Sequence, residues 1–173
     1  MYQAQEHSET ATGALHSSRW YGASAIVRSW ISTAKSTSAS VGSRSVTTAS
    51  IPSIACVTGD RTGGTLTVVR ATLDHDQYPD RIQEAKLEIR WYTNGDYNFH
   101  YTETHASEES WHCRWDRHPN PHTTRTHFHP PPAAQSGDAI PDSPSDHHPS
   151  AMFARTFANI RARIEDLWDV SGR

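Results

Sequence analysis

Histidine and arginine are the side chains of this sequence best equipped for chemistry. Twelve of the 173 residues are histidine, and nine of those fall between His100 and His148. Imidazole titrates near neutrality, so one residue type supplies both an acid and a base. Arginine outnumbers lysine 14 to 2, and its planar fork matches phosphate oxygens in pairs. His100, His112, His118, His122 and His129, with Arg90, Arg114 and Arg117, therefore form a candidate set for acid–base work beside a phosphate, without a cofactor. The same region supports a second reading. His127 and His129 alternate on one strand, and with His118 they offer three imidazoles to zinc, with Asp116 as a hydrogen-bonding partner behind them. That spacing matches no standard zinc motif. A third reading is a non-enzymatic partner-binding protein, in which the histidines are only solvated or hydrogen-bonded side chains.

Composition limits what can hold these residues in place. The length suits one domain, and 35% apolar residues are too few for a well-buried globule along the whole chain. A formal charge of −3 excludes a basic coat for polyanions. Two cysteines, Cys56 and Cys113, make neither a disulfide scaffold nor a four-cysteine zinc site. No apolar run reaches the roughly 18 residues of a membrane span. The expectation is a soluble, cytoplasmic protein without a membrane partner.

The chain divides into four regions. Residues 1–55 hold 13 serines and 6 threonines but only two acids, the composition of a disordered tail, a targeting segment or an extension from a misplaced start. Residues 56–129 are expected to contain the sheet. Within them Leu66, Val69 and Leu73 stand at helical spacing while Thr65, Thr67 and Val68 favour a strand, and the spacing tips the expectation toward helix. Residues 130–149 open with three prolines and read as a linker. Residues 150–173 carry Phe153, Phe157, Ile160, Ile164 and Trp168 at steps of three or four, an amphipathic helix with Ser150 as its cap. Arg155, Arg161 and Arg163 mark its solvent side.

Three runs of period two define the sheet. Ala85, Leu87, Ile89 and Trp91 alternate with polar residues, as do Tyr97, Phe99 and Tyr101, and then Trp111, Cys113 and Trp115. The fold class expected is α+β: a small antiparallel sheet, a three-stranded meander plus a short fourth strand at 126–129, covered on its aromatic face by the C-terminal helix. A three-residue connection Asn94-Gly95-Asp96 pairs Trp91 with Phe99 and Ile89 with Tyr101, which keeps every apolar residue on one face. Arg90 then lies opposite His100, and His112 and Arg114 follow on the next strand. Cys113 points to the apolar face.

Tyr97-Asn98-Phe99-His100-Tyr101, Arg114-Trp115-Asp116, Pro121-His122, His127-Phe128-His129 and the closing helix together resemble the TumE-type toxins of prokaryotic toxin–antitoxin pairs. The run from Arg114 to His122 is also similar to one found in small haloarchaeal proteins. The resemblance covers roughly residues 84–168. It implies an RNA-directed growth inhibitor neutralised by an antitoxin protein, and it turns the first reading above into a metal-independent ribonuclease.

Overall fold

The structure is a computed structural model describing residues 52–62 and 65–171. The expectations for residues 1–51 lie outside the described residues, as does Gly172, which the sequence offers as a stop for the C-terminal helix. Seven strands follow one another: β1 (Ile54–Thr62), β2 (Thr65–Leu73), β3 (Ile82–Trp91), β4 (Tyr97–His105), β5 (Ser110–Arg117), β6 (Thr126–His129) and β7 (Ile140–Pro141). Among the described residues one α-helix, α1 (Pro149–Ser171), closes the order. The strands form one antiparallel sheet in chain order, each paired with its sequence neighbour.

The α+β class and the covering helix are as expected, but the sheet has seven strands rather than three plus one. Residues 65–73 are strand, not helix, because β-branched side chains and the buried alternation of Val69, Ala71 and Leu73 outweigh one helical spacing. β1 begins at Ile54, inside the region assigned to the N-terminal extension. The segment expected as a linker contains a 3-10 turn at Ser136–Asp138 and strand β7, which pairs Ile140 with Phe128.

The β3–β4 register differs from the expected one by two residues: Trp91 pairs with Tyr97 and Ile89 with Phe99. The tight turn is Thr93-Asn94-Gly95, closed by Gly95 N–H to Tyr92 O at 3.0 Å and Tyr92 N–H to Asp96 O at 2.8 Å. Gly95 takes φ +81° at the third loop position, the geometry of a type I turn ending in a bulge. A shift of two keeps each residue on its face, so the division into apolar and polar faces is as expected.

The apolar face carries Val69, Leu87, Ile89, Tyr97, Phe99, Tyr101, Cys113 and Trp115, all buried. Against it α1 presents Met152, Phe153, Phe157, Ile160, Ile164 and Leu167, and Phe153 meets Phe99 edge-on at 5.3 Å. Leu167 takes the final core position expected for Trp168, which stays half-exposed and donates from its indole nitrogen to Gln77 O at 2.8 Å. Pro149 opens the helix, where its missing N–H costs nothing, and Ser150 Oγ bonds His148 Nδ1 instead of capping. Arg155 and Arg163 are not free solvent-side cations. Arg155 grips Asp142 through two hydrogen bonds of 2.6 and 2.7 Å, and Arg163 grips the buried Glu103 at 3.0 and 2.8 Å.

Candidate functional site

The register arranges the polar face as two rows across the strands. One runs Glu88 (β3), His100 (β4), Arg114 (β5), His129 (β6). The other runs Arg90, Asn98, Asp116, His127 on the same strands. Glu88, not Arg90, therefore faces His100, and Glu88 binds both Arg70 at 2.8 Å and Arg90 at 2.6 Å.

Asp116 is the hub of the second row, with 1% of its surface exposed. Asn98 Nδ2 donates to its Oδ1 at 2.6 Å and Arg114 Nε to its Oδ2 at 2.7 Å. Three imidazole nitrogens surround the same Oδ2: His129 Nε2 at 3.2 Å, His118 Nε2 at 3.3 Å and His127 Nε2 at 3.8 Å. A carboxylate taken from water is tolerable only with donors such as Asn98 and Arg114.

The far side of each ring is held by a loop carbonyl. His127 Nδ1 donates to Thr124 O at 3.0 Å, His129 Nδ1 to Gln135 O at 3.0 Å, and His118 Nδ1 to Pro119 O at 2.9 Å. These bonds fix the tautomers and leave Nε2 of His127 and His129 as acceptors, satisfied by Asn120 Nδ2 at 3.1 Å and Arg114 Nη2 at 2.9 Å. His127 and His129 are buried, and burial is the main cause holding the His127 proton affinity below its ordinary value. His118 differs. Both its nitrogens face acceptors, Pro119 O and Asp116, an arrangement that the doubly protonated ring satisfies, and 44% of its side chain meets solvent.

His100 and His112 stack at 5.6 Å with 17° between their planes, beside Arg114. The His100 proton affinity is lowered, first by burial and then by His112 and Arg114, and its Nε2 has no hydrogen-bond partner among the described residues. The structure thus joins His118, His127, His129 and Arg114 around Asp116, with His100 and His112 alongside. Two expected members fall elsewhere. Arg117 sits at the end of β5, donating to Gly95 O at 2.9 Å near Asp96, because its odd position turns it off the polar face. His122 lies exposed in the loop, where its backbone N–H bonds Asn120 Oδ1 at 2.8 Å. Asn98 and Asn120 were not candidates in the sequence. The alternation that places His100 on the polar face places Asn98 there too, whereas nothing local points to Asn120.

The opposite face holds a cleft of about 440 Å³ lined by Trp111, Trp115, Phe128 and Arg163 among others. Its cations are already paired, Arg163 lying 4.1 Å over Trp111 while bound to Glu103. Cys113 lines it too and is buried as expected, with its thiol pushed up to about 12 by burial. The polar face carries the imidazole cluster, whose member His118 is open to solvent.

The sequence model of the toxin TumE family matches residues 54–170. The chain belongs to that family, and so is a toxin of a toxin–antitoxin system. No curated protein and no solved structure matched it. Among the described residues, no helix is long and apolar enough to cross a membrane.

Proposed function

We propose that this toxin cleaves RNA by transesterification at the polar face, with a cognate antitoxin protein as its partner. The observation that carries the proposal is the buried Asp116, which aligns Arg114 and the solvent-open His118 side by side. His118 gives a proton to the departing 5′-oxygen. His100, kept neutral by its surroundings, accepts the 2′-hydroxyl proton as the 2′-oxygen attacks phosphorus. Arg114 binds the phosphate oxygens on which charge develops. His112 stacks on His100, and the buried His129 and His127 accept from Arg114 and Asn120 and position those groups rather than meet substrate. The products are a 2′,3′-cyclic phosphate and a free 5′-hydroxyl.

The test is end-group analysis after incubation of purified full-length protein with single-stranded RNA in EDTA. Cyclic phosphate ends, and no cleavage of the matching 2′-O-methyl strand, are expected. Cleavage of the 2′-O-methyl strand would overturn the transesterification step.

A further inference from the structure

Asp116, His118 and His127 also bring together three atoms of the kinds that bind a divalent metal. Their ligand atoms all lie within 4.8 Å of one another. Zinc bonds of about 2.0–2.1 Å in a tetrahedron separate neighbouring ligand atoms by roughly 3.4 Å. Asp116 Oδ2 stands 3.3 Å from His118 Nε2 and 3.8 Å from His127 Nε2. Both rings are already turned for the task, since Nδ1–H of each donates to a backbone carbonyl, Pro119 O or Thr124 O, and presents Nε2 to the carboxylate. In the neutral His118 ring that tautomer aims a lone pair at the carboxylate oxygen. The pair therefore calls for a cation between them, either a proton or a metal ion. His129 Nε2 is close, at 3.2 Å from Asp116 Oδ2, but the cationic Arg114 Nη2 occupies its lone pair at 2.9 Å, whereas the lone pair of His127 Nε2 is held at 3.1 Å by the neutral amide of Asn120, which the ion must displace.

We propose that Asp116 Oδ2, His118 Nε2 and His127 Nε2 form a site for Zn²⁺ or a similar borderline divalent ion, with a fourth position open to solvent beside the exposed edge of His118. This ligand set differs from the three histidines suggested by spacing, with Asp116 taking the place of His129. Two imidazoles and a carboxylate suit zinc better than magnesium or calcium. Arg114, 2.7 Å from the same Asp116 oxygen, sets like charge beside the ion and weakens its binding. The consequence for activity rests on the proposed role of His118: a bound ion takes the place of its proton, so the ion suppresses RNA cleavage.

The experiment uses untagged full-length protein stripped with EDTA, with Zn²⁺ followed by equilibrium dialysis and Co²⁺ by its visible absorption. One ion per chain is expected, with affinity at least tenfold weaker in His118→Ala and His127→Ala and unchanged in His122→Ala. Arg114→Gln is expected to bind at least tenfold more tightly, which a purely structural role for the cluster does not predict. His118 is surface-placed, so His118→Ala reports on the site even if His127→Ala fails to fold. Absence of stoichiometric binding, or equal binding by wild type and His118→Ala, overturns the site. Added zinc is then tested on RNA cleavage. Zinc that binds without slowing cleavage leaves the site standing and removes His118 as the acid. Failure to bind zinc, with cleavage still dependent on His118, removes the site and leaves the cleavage proposal intact.

Discussion

At the scale of single residues, the site depends on one buried carboxylate having enough partners. Asp116 receives hydrogen bonds from Asn98 and Arg114 and lies beside three imidazoles. Asp116→Asn keeps the shape but removes the charge that orients Arg114 and His118, so the cleavage rate is expected to fall at least tenfold while the fold survives. His100 supplies a pH prediction. Its proton affinity is lowered by burial, by His112 and by Arg114, against smaller opposing effects from Glu88 and Asp116. A histidine whose folded pKa lies below the unfolded one is neutral in both states at higher pH. The unfolded chain then binds more protons once pH falls below about 6.5. Stability should therefore drop as pH falls through and below that value, and His100→Gln should flatten the drop in denaturant titrations between neutral and mildly acidic pH. An unchanged slope would count against this environment for His100. For the cysteines, the exposed Cys56 should react with a thiol reagent in the native state while the buried Cys113 resists until unfolding.

Secondary elements differ in how plainly the sequence announces them. Alternation at Ala85–Trp91, Tyr97–Tyr101 and Trp111–Trp115 reveals β3, β4 and β5 because both faces of these central strands have distinct neighbours. β1 has no such pattern: Ile54 is buried but Ala55, Cys56, Thr58 and Gly59 are exposed, as befits an edge strand. β7 is two residues long and exists only by pairing with β6. The β3–β4 register is hidden for a different reason. A slip of one would invert a strand and is excluded by burial, whereas a slip of two changes partners without changing faces. Turn geometry decides between such registers, and here it rests on Gly95 at φ +81°. Gly95→Ala forces an L-residue into that region and brings its Cβ within 3.3 Å of Arg117 Nη1. A loss of about 1–2 kcal/mol in denaturant unfolding is expected. A neutral substitution would mean that the turn does not set the register.

For the whole molecule, one sheet separates two environments, and each is completed by segments distant in sequence. That is why the polar rows were legible by face but the central role of Asp116 was not. Its burial, and that of His127 and His129, comes from the loops that follow β5 and β6, which deliver the carbonyls of Thr124 and Gln135 to the ring nitrogens. On the other side α1 is tied down by Arg163, whose bidentate bond reaches Glu103, a carboxylate with no exposed surface that also accepts from Tyr101 Oη at 2.9 Å. Arg163→Ala strands that charge in the core and should cost about 3–5 kcal/mol. Pairing it with Glu103→Gln should recover part of the loss, and a double variant no better than the single one would refute the electrostatic cause. This anchor lies across the sheet from the proposed cleavage site, so RNA cleavage and helix docking are expected to be separable by mutation. The most direct measurement of the central proposal is the initial rate at which wild type and His118→Ala cleave one defined single-stranded RNA in EDTA, with folding verified by circular dichroism. Wild type is expected to cleave it, with the variant slower by about 10²–10⁴-fold; equal rates, or an RNA left intact by the wild type, would contradict the assignment of this face as a ribonuclease site.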